Sequence, residues 1–309
     1  MSLQNARSPL SLPPFIERRL DEAVLRLTRP ADAGTIDFSV PAGEAALIAP
    51  DSISWKIFRN PVALFCGGVA AVILELAEPS VRTGVWEHSS FRRDPVRRLQ
   101  RTGQAAMVTV YGPRSVSERM IAGVVRMHEH VSGETPGGVP YRANDVALLD
   151  WVQATATFGF ATAYSRYVRP LDDAALSRVF AEARASAQLY GAAGAPGSVE
   201  EWRAMLDGMR GRLEPSPIVF EFLELMRTSP ALPGPLRPLQ RLMVRGAVEL
   251  VPAWVRERLG LSDRDRASRA ELAVLRRLGR SADRVLLPSS PAVQSCRRLG
   301  VPTTVLTRW

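Results

Sequence analysis

Three histidines, His88, His128 and His130, are the only imidazoles in 309 residues, and they limit any metal chemistry. A three-histidine zinc site would use every one of them. His128 and His130 stand two apart on a predicted helix and do not share a face. No HExxH occurs, which argues further against a zinc enzyme. His128 differs from the others by its setting, because Ile121, Val124 and Val131 lie at i−7, i−4 and i+3 and put it on an apolar stripe. Two readings follow. It is either a core histidine bonded to a carbonyl, or the single axial ligand of a haem iron, which needs one imidazole on an apolar helix face. His130, with Arg126 at i−4, is expected on the wet edge.

A second constellation lies at Arg97-Arg98-Leu99-Gln100-Arg101-Thr102. Arg98, Arg101 and Thr102 are related by i+3 and i+4 and share one helix face. Two guanidiniums and a hydroxyl there could hold carboxylates or polarise a bound oxygen species; a solvated basic face is the plainer alternative. Other chemistries lack an anchor, since no GxGxxG follows a strand and neither GxxxxGK[ST] nor GxSxG occurs. Asp172-Asp173 and Glu200-Glu201 are adjacent and diverge on a helix, as first-turn acids do.

The elements that must position these residues read as helices. Asp51 or Ser52 can cap a first one, and an apolar helix runs from Val62 to Leu76 and stops at Pro79. A helix from Pro95 to about Thr102 follows. Ser115 and Glu118 have capping-box spacing and predict a helix to about Val131. Gly133, Pro136, Gly137 and Gly138 then predict a loop. A long apolar helix is expected from Asp145 or Val146 to about Val168. Further helices are expected near 171–190, 198–212, 216–227, 236–250, 252–260 and 263–284. Strand candidates are confined to Met107–Tyr111 and Val301–Leu306. The class is all-α, a single large helical domain.

Composition narrows the function classes. Hydrophobic residues make up 46% and charged ones 23%, which excludes a disordered chain. Two cysteines exclude a disulfide scaffold. There are 40 Lys+Arg against 31 Asp+Glu, for a net +9, but Lys56 is the only lysine. Arginine runs the whole length and does not cluster on one segment, so nucleic-acid binding is not expected. The N-terminal stretch lacks an apolar core after a basic start and is read as no signal peptide, and the uncharged run between Arg59 and Glu75 is too short to span a bilayer. A cytoplasmic chain with no integral membrane segment is expected. Peripheral membrane contact is possible in principle through 256–284, where nine Arg against five acids flank Leu272, Leu275 and Leu278; the alternative there is a solvated helix covering the core. No heptad and no edge strand points to a partner copy, which leaves the oligomeric state open.

The motifs also occur in a recognisable order. Ser54-Trp55-Lys56 is followed by Gly67-Gly68 in the apolar helix, then by Gly84-Val85 and His88-Ser89-Ser90-Phe91-Arg92-Arg93-Asp94-Pro95. Arg98-Leu99-Gln100-Arg101-Thr102, Arg126-Met127-His128, Pro140-Tyr141-Arg142-Ala143-Asn144-Asp145 and Leu148 to Thr155 complete the series. Over about 51–260 the chain resembles the latex-clearing rubber oxygenases and the MpaB-type oxygenase of mycophenolic acid biosynthesis. The resemblance implies a globin-like core around haem b and O₂-dependent oxidation of an unsaturated, often isoprenoid, hydrophobic substrate. His128 would be the proximal iron ligand, with Arg98 and Thr102 in the haem pocket. Arg101 stands where rubber-cleaving members can carry a lysine that closes the distal side, and a guanidinium is a poor iron ligand. Glu78 and Gln153 replace histidines that are frequent in the family.

The expected organisation is an N-terminal arm and short helix over 1–50, an oxygenase-like catalytic domain over 51–260, and a basic C-terminal helix and tail over 261–309. The function expected is a haem-dependent oxygenase-like enzyme in which Arg98, Arg101 and Thr102 do the catalytic work. An apolar channel lined from 62–74 and 148–163 would admit the substrate. The alternative is a non-catalytic binding protein for an apolar small molecule.

Overall fold

Prolines and polar caps decide where the helices of this chain begin. The computed structural model describes residues 13–28 and 36–309, and the readings of residues 1–12 and of Pro30 lie outside them. Among the described residues there are fourteen α-helices and one small antiparallel ribbon, an all-α fold as expected. The first seven helices are α1 (Pro14–Thr28), α2 (Ile53–Phe58), α3 (Pro61–Ala77), α4 (Pro79–His88), α5 (Pro95–Tyr111), α6 (Arg114–His128) and α7 (Val146–Tyr167). The rest are α8 (Asp173–Tyr190), α9 (Val199–Gly208), α10 (Pro217–Thr228), α11 (Arg237–Leu250), α12 (Ala253–Leu259), α13 (Arg269–Ala282) and α14 (Pro291–Leu299). The ribbon pairs β1 (Ser132–Glu134) with β2 (Pro140–Arg142), Gly133 opposite Tyr141.

The centre is α3, apolar on nearly every side and therefore buried on nearly every side. Asn60 starts it by accepting from the Val62 and Ala63 amides, with Pro61 in the first turn where a missing N–H costs nothing. The same Asn60 donates through Nδ2 to the Gly279 carbonyl at 2.9 Å, tying α13 to the start of the core helix. Helix α7 packs along α3, and the two backbones meet at Gly67 and Gly159. Helices α10, α11 and α13 also pack against α3. In α13, Leu272 and Leu275 are buried and Leu278 packs on the core, so its apolar stripe faces inward and its arginines are left outward. No single helix among the described residues is long and apolar enough to cross a membrane; α3 and α4 meet that test only as a pair bent by 111°.

Several local expectations are overturned. Met107–Tyr111 is not a strand but the last turn and a half of α5; Val108 and Tyr111 turn into the core three apart, and Thr109 Oγ1 donates to the Ala105 carbonyl at 2.9 Å, as in a helix. Within 301–306 the chain forms a short 3₁₀ turn, Thr303–Leu306. The Ser115–Glu118 spacing makes no capping box: α6 starts behind Pro113 without a side-chain cap, the Ser115 amide donates to Glu44, and Glu118 pairs with Arg114 at 2.9 Å. A capping box does form at Ser268 and Glu271, opening α13. The loop expected after Gly133 closes as the ribbon, whose turn uses Gly138 at φ +79°, a conformation that suits a residue without Cβ.

A second apolar cluster joins the segment 36–48 to α2, α5 and α14 through Phe38, Ile48, Trp55, Tyr111, Val293 and Cys296. Arg298 is its polar centre, only 2% exposed. It donates to the carbonyls of Glu44 (2.9 Å), Phe38 (2.6 Å) and Tyr111 (2.7 Å). Replacing it with methionine keeps the stem and removes the donors, leaving carbonyl groups buried without partners. Arg298→Met is expected to cost about 3–5 kcal/mol. Urea denaturation checks this, and a loss below about 1 kcal/mol would show that water satisfies those carbonyls instead.

Candidate active site

The proposed site residues lie on α5 and α6, and the fold adds others from α3, α7 and the segment after the ribbon. Asp94 caps α5 by accepting from the Arg97 amide at 3.1 Å, and Pro95 opens it. Arg98 then lies one turn before Thr102, which braces it. Arg98 Nη1 donates to Thr102 Oγ1 at 2.9 Å, while that hydroxyl donates to the Arg98 carbonyl at 2.9 Å. Arg98 is half-buried, and its Nε is shut off from solvent without a hydrogen-bond partner. Thr102 and Arg101 are exposed, and the charge of Arg101 reaches Arg98.

His128 occupies the last residue of α6 and is half-buried on the side of Ile121 and Val124. A helix C-terminus favours a protonated imidazole. Here burial, and after it the Arg98 charge, outweigh that effect and hold His128 below its ordinary value, in the neutral form. Nδ1 is buried without a regular hydrogen bond. The ribbon returns the chain to this spot: the Ala143 amide donates to the Val131 carbonyl at 2.9 Å, and Asn144 Nδ2 donates to the Val125 carbonyl at 3.1 Å. Asn144 thereby stands next to the imidazole and favours its N–H, while Asn144 Oδ1 is itself buried without a partner of regular geometry. His130 is exposed, as expected, and so is His88.

Glu75 is the group that sequence reasoning passed over. It is the one charged residue within α3, half-buried, and burial pushes its carboxyl up from 4.5 to about 7 against the opposing pull of Arg98 and the Thr155 hydroxyl. The available signal was a lone carboxylate in an otherwise apolar helix, an expensive placement for a charge. Thr155 sits inside the Trp151–Thr155 motif of α7, its Oγ1 donating to backbone carbonyls one turn back. Glu75, Arg98 and His128 thus form one electrostatic cluster in which the cation lies within range of both the acid and the imidazole. Glu78 is not part of it. It is buried, caps α4 through the Val81 amide and pairs with Arg212 at 3.0 Å.

The raised carboxyl makes a prediction about stability. Between 4.5 and about 7 the folded chain keeps a proton that the unfolded chain releases, so Glu75 subtracts stability as pH rises through that window. Glu75→Gln is expected to leave stability nearly unchanged at pH 4 and to raise it by about 1–3 kcal/mol at pH 8, as desolvation outweighs the lost attraction to Arg98. Denaturant midpoints at both pH values read this directly. An equal shift at both would mean that Glu75 keeps an ordinary carboxylate value.

Among the described residues no three His, Cys, Asp or Glu side chains gather into a metal-binding group. The fold and this cluster define an all-helical protein whose apolar core holds one half-shielded acid–guanidinium–imidazole group. Residues 55–283 match the family described as ER-bound oxygenase mpaB/B'/Rubber oxygenase, catalytic domain, and the chain belongs to that family. Its function is oxygenase-like in that general sense. No curated protein and no solved structure matched the chain.

Proposed function

We propose that this chain is a haem b-dependent oxygenase acting with O₂ on an unsaturated or isoprenoid-like hydrophobic substrate, and that His128 is the residue that would hold the iron. The observation that carries the reading is the state of His128: a half-buried imidazole held neutral, with Nδ1 and Asn144 Oδ1 both buried, adjacent, and without any other hydrogen-bond partner. An iron ligand must be neutral, and its second nitrogen ordinarily donates to a fixed acceptor. Asn144, anchored to the Val125 carbonyl, would be that acceptor. Haem would supply the activation of O₂, the oxidant that accepts the electrons the substrate loses.

The remaining residues have roles of their own. Arg98, braced by Thr102, directs a charge toward the cluster and would hold a carboxylate or a developing anion through the unpaired Nε. Arg101 adds a second cation on the open side of α5. Glu75, titrating near neutrality, can hold a proton and pass it on at working pH. The half-buried apolar positions Val72 on α3 and Val152 on α7 lie one turn or less from Glu75 and Thr155 and suit a hydrophobic substrate.

The experiment is the ultraviolet–visible spectrum of protein purified from haem-supplemented cells, before and after dithionite and CO. A Soret band of one haem per chain that shifts with CO is expected. A colourless protein that takes up no added haem would overturn the reading in favour of a non-catalytic pocket for an apolar molecule.

A further inference from the structure

Away from the His128 cluster, the far end of α7 and the outer face of α13 form a groove of unusual charge. One hollow, of about 450 Å³, is lined by Arg276, Arg277, Arg280 and Arg284 with Ser281. It adjoins a second, of about 360 Å³, where Arg276 and Arg280 meet Arg166, Thr162 and Ser165 of α7. In α13, Arg280 stands at i+4 from Arg276 and at i+3 from Arg277, the spacings that set like charges beside one another on a helix at a cost to its stability, and Arg284 follows just past the helix end. No carboxylate lines either hollow.

The acids that could neutralise this face are turned away. Asp283, on the same turn, is occupied by Arg59 at 3.0 Å, Asn60 at 3.3 Å and the Tyr164 hydroxyl at 3.2 Å. Glu271 pairs with Arg245 at 2.8 Å. Among the described residues none of Arg166, Arg276, Arg277, Arg280 and Arg284 forms an ion pair, and Arg284 Nε is shut off from solvent without a hydrogen bond. Ser165 Oγ accepts from the Leu171 amide at 3.0 Å, which leaves its own O–H to donate. Five uncompensated guanidiniums and several hydroxyls around connected hollows match the oxygens of a phosphate group, which guanidinium forks bind two at a time. The hollows fall in the size range of small-molecule sites.

We propose that this groove binds a phosphate-bearing anion, the phosphate being either that of a small soluble molecule or that of a lipid headgroup. The groove stands whether or not His128 holds haem. The test titrates full-length protein calorimetrically with inorganic pyrophosphate at low salt. In parallel it measures co-sedimentation with phosphatidylcholine vesicles with and without phosphatidic acid. Arg276→Gln/Arg280→Gln is expected to weaken binding about tenfold or more, with Arg277→Gln/Arg280→Gln, both exposed, as a second variant. Arg241→Gln/Arg264→Gln removes the same charge outside the groove and should leave binding intact. Pyrophosphate binding alone, lost in the groove variants, assigns a soluble phosphate; vesicle binding alone, lost likewise, assigns a headgroup. Equal losses in the control variant, indifference to both groove variants, or no binding of either probe overturns the proposal.

Discussion

His128→Ala protein, purified from haem-supplemented cells, is expected to be colourless while keeping the helical circular dichroism of the parent. The imidazole is half-buried at the end of α6 and makes no regular hydrogen bond through Nδ1, so its removal deletes little packing and costs about 1 kcal/mol or less. Haem retention, by contrast, would lose its one strong protein bond. Added imidazole should restore the Soret band in the variant, an outcome that a merely structural role would not produce. Stoichiometric haem in His128→Ala without added imidazole would remove the assignment. Acidification gives an independent readout. Because burial and Arg98 hold His128 below the ordinary histidine value of 6.5, the lone pair stays available to lower pH than in a free imidazole, and the stability tied to the neutral form is lost as pH falls from that ordinary value through the lowered one.

A large loss of stability is expected at the crossing of α3 and α7. A Cβ on Gly67 would come 2.7 Å from both the Gly159 carbonyl oxygen and the Phe160 Cα, and a Cβ on Gly159 would strike the Gly67 carbonyl oxygen. These are backbone atoms, so relief requires parting the two central helices along apolar faces that line the main core. Gly67→Ala and Gly159→Ala should each cost about 3 kcal/mol or more, at the upper end of overpacking. The double variant should cost well under the sum, because the helices part only once. Gly68 is the internal control. A Cβ there meets only the Phe160 ring, at 3.7 Å, and Gly68→Ala should be neutral or stabilising by about 0.5–1 kcal/mol through helix propensity. Denaturant titration of the four variants decides it; equal behaviour of Gly67 and Gly68 would mean that the backbones do not touch.

The adjacent glycines illustrate what the sequence makes legible. Gly67-Gly68 marks a close approach, but only the partner helix tells which of the two is needed. The all-α class follows from periodicity and capping, and the course of α7 from a long apolar run between Asp145 and Val168, all local properties. Helices α4 and α14 are short and mixed in composition and each opens at a proline, and Pro79 reads first as the stop of α3. Met107–Tyr111 carries β-branched residues whose helical state is decided by Trp55 and Ser117, neighbours in space to Tyr111 and Val108. Arg98 and His128 stand out by type and setting. Glu75 with Thr155 and His128 with Asn144 are pairings across 80 and 16 residues, and no helix-face argument reaches that far.

Arg298 has a consequence for the chain during its synthesis. The three carbonyls it satisfies belong to Phe38, Glu44 and Tyr111, all translated long before α14. Domains tend to settle from the N-terminus as they emerge from the ribosome, yet here the segment 36–48 must wait for a guanidinium made some 250 residues later, the separation of Glu44 from Arg298 being 254. The last helix therefore acts as a clasp, and a nascent chain lacking it presents the cell's chaperones with an early segment whose carbonyls still lack their donor.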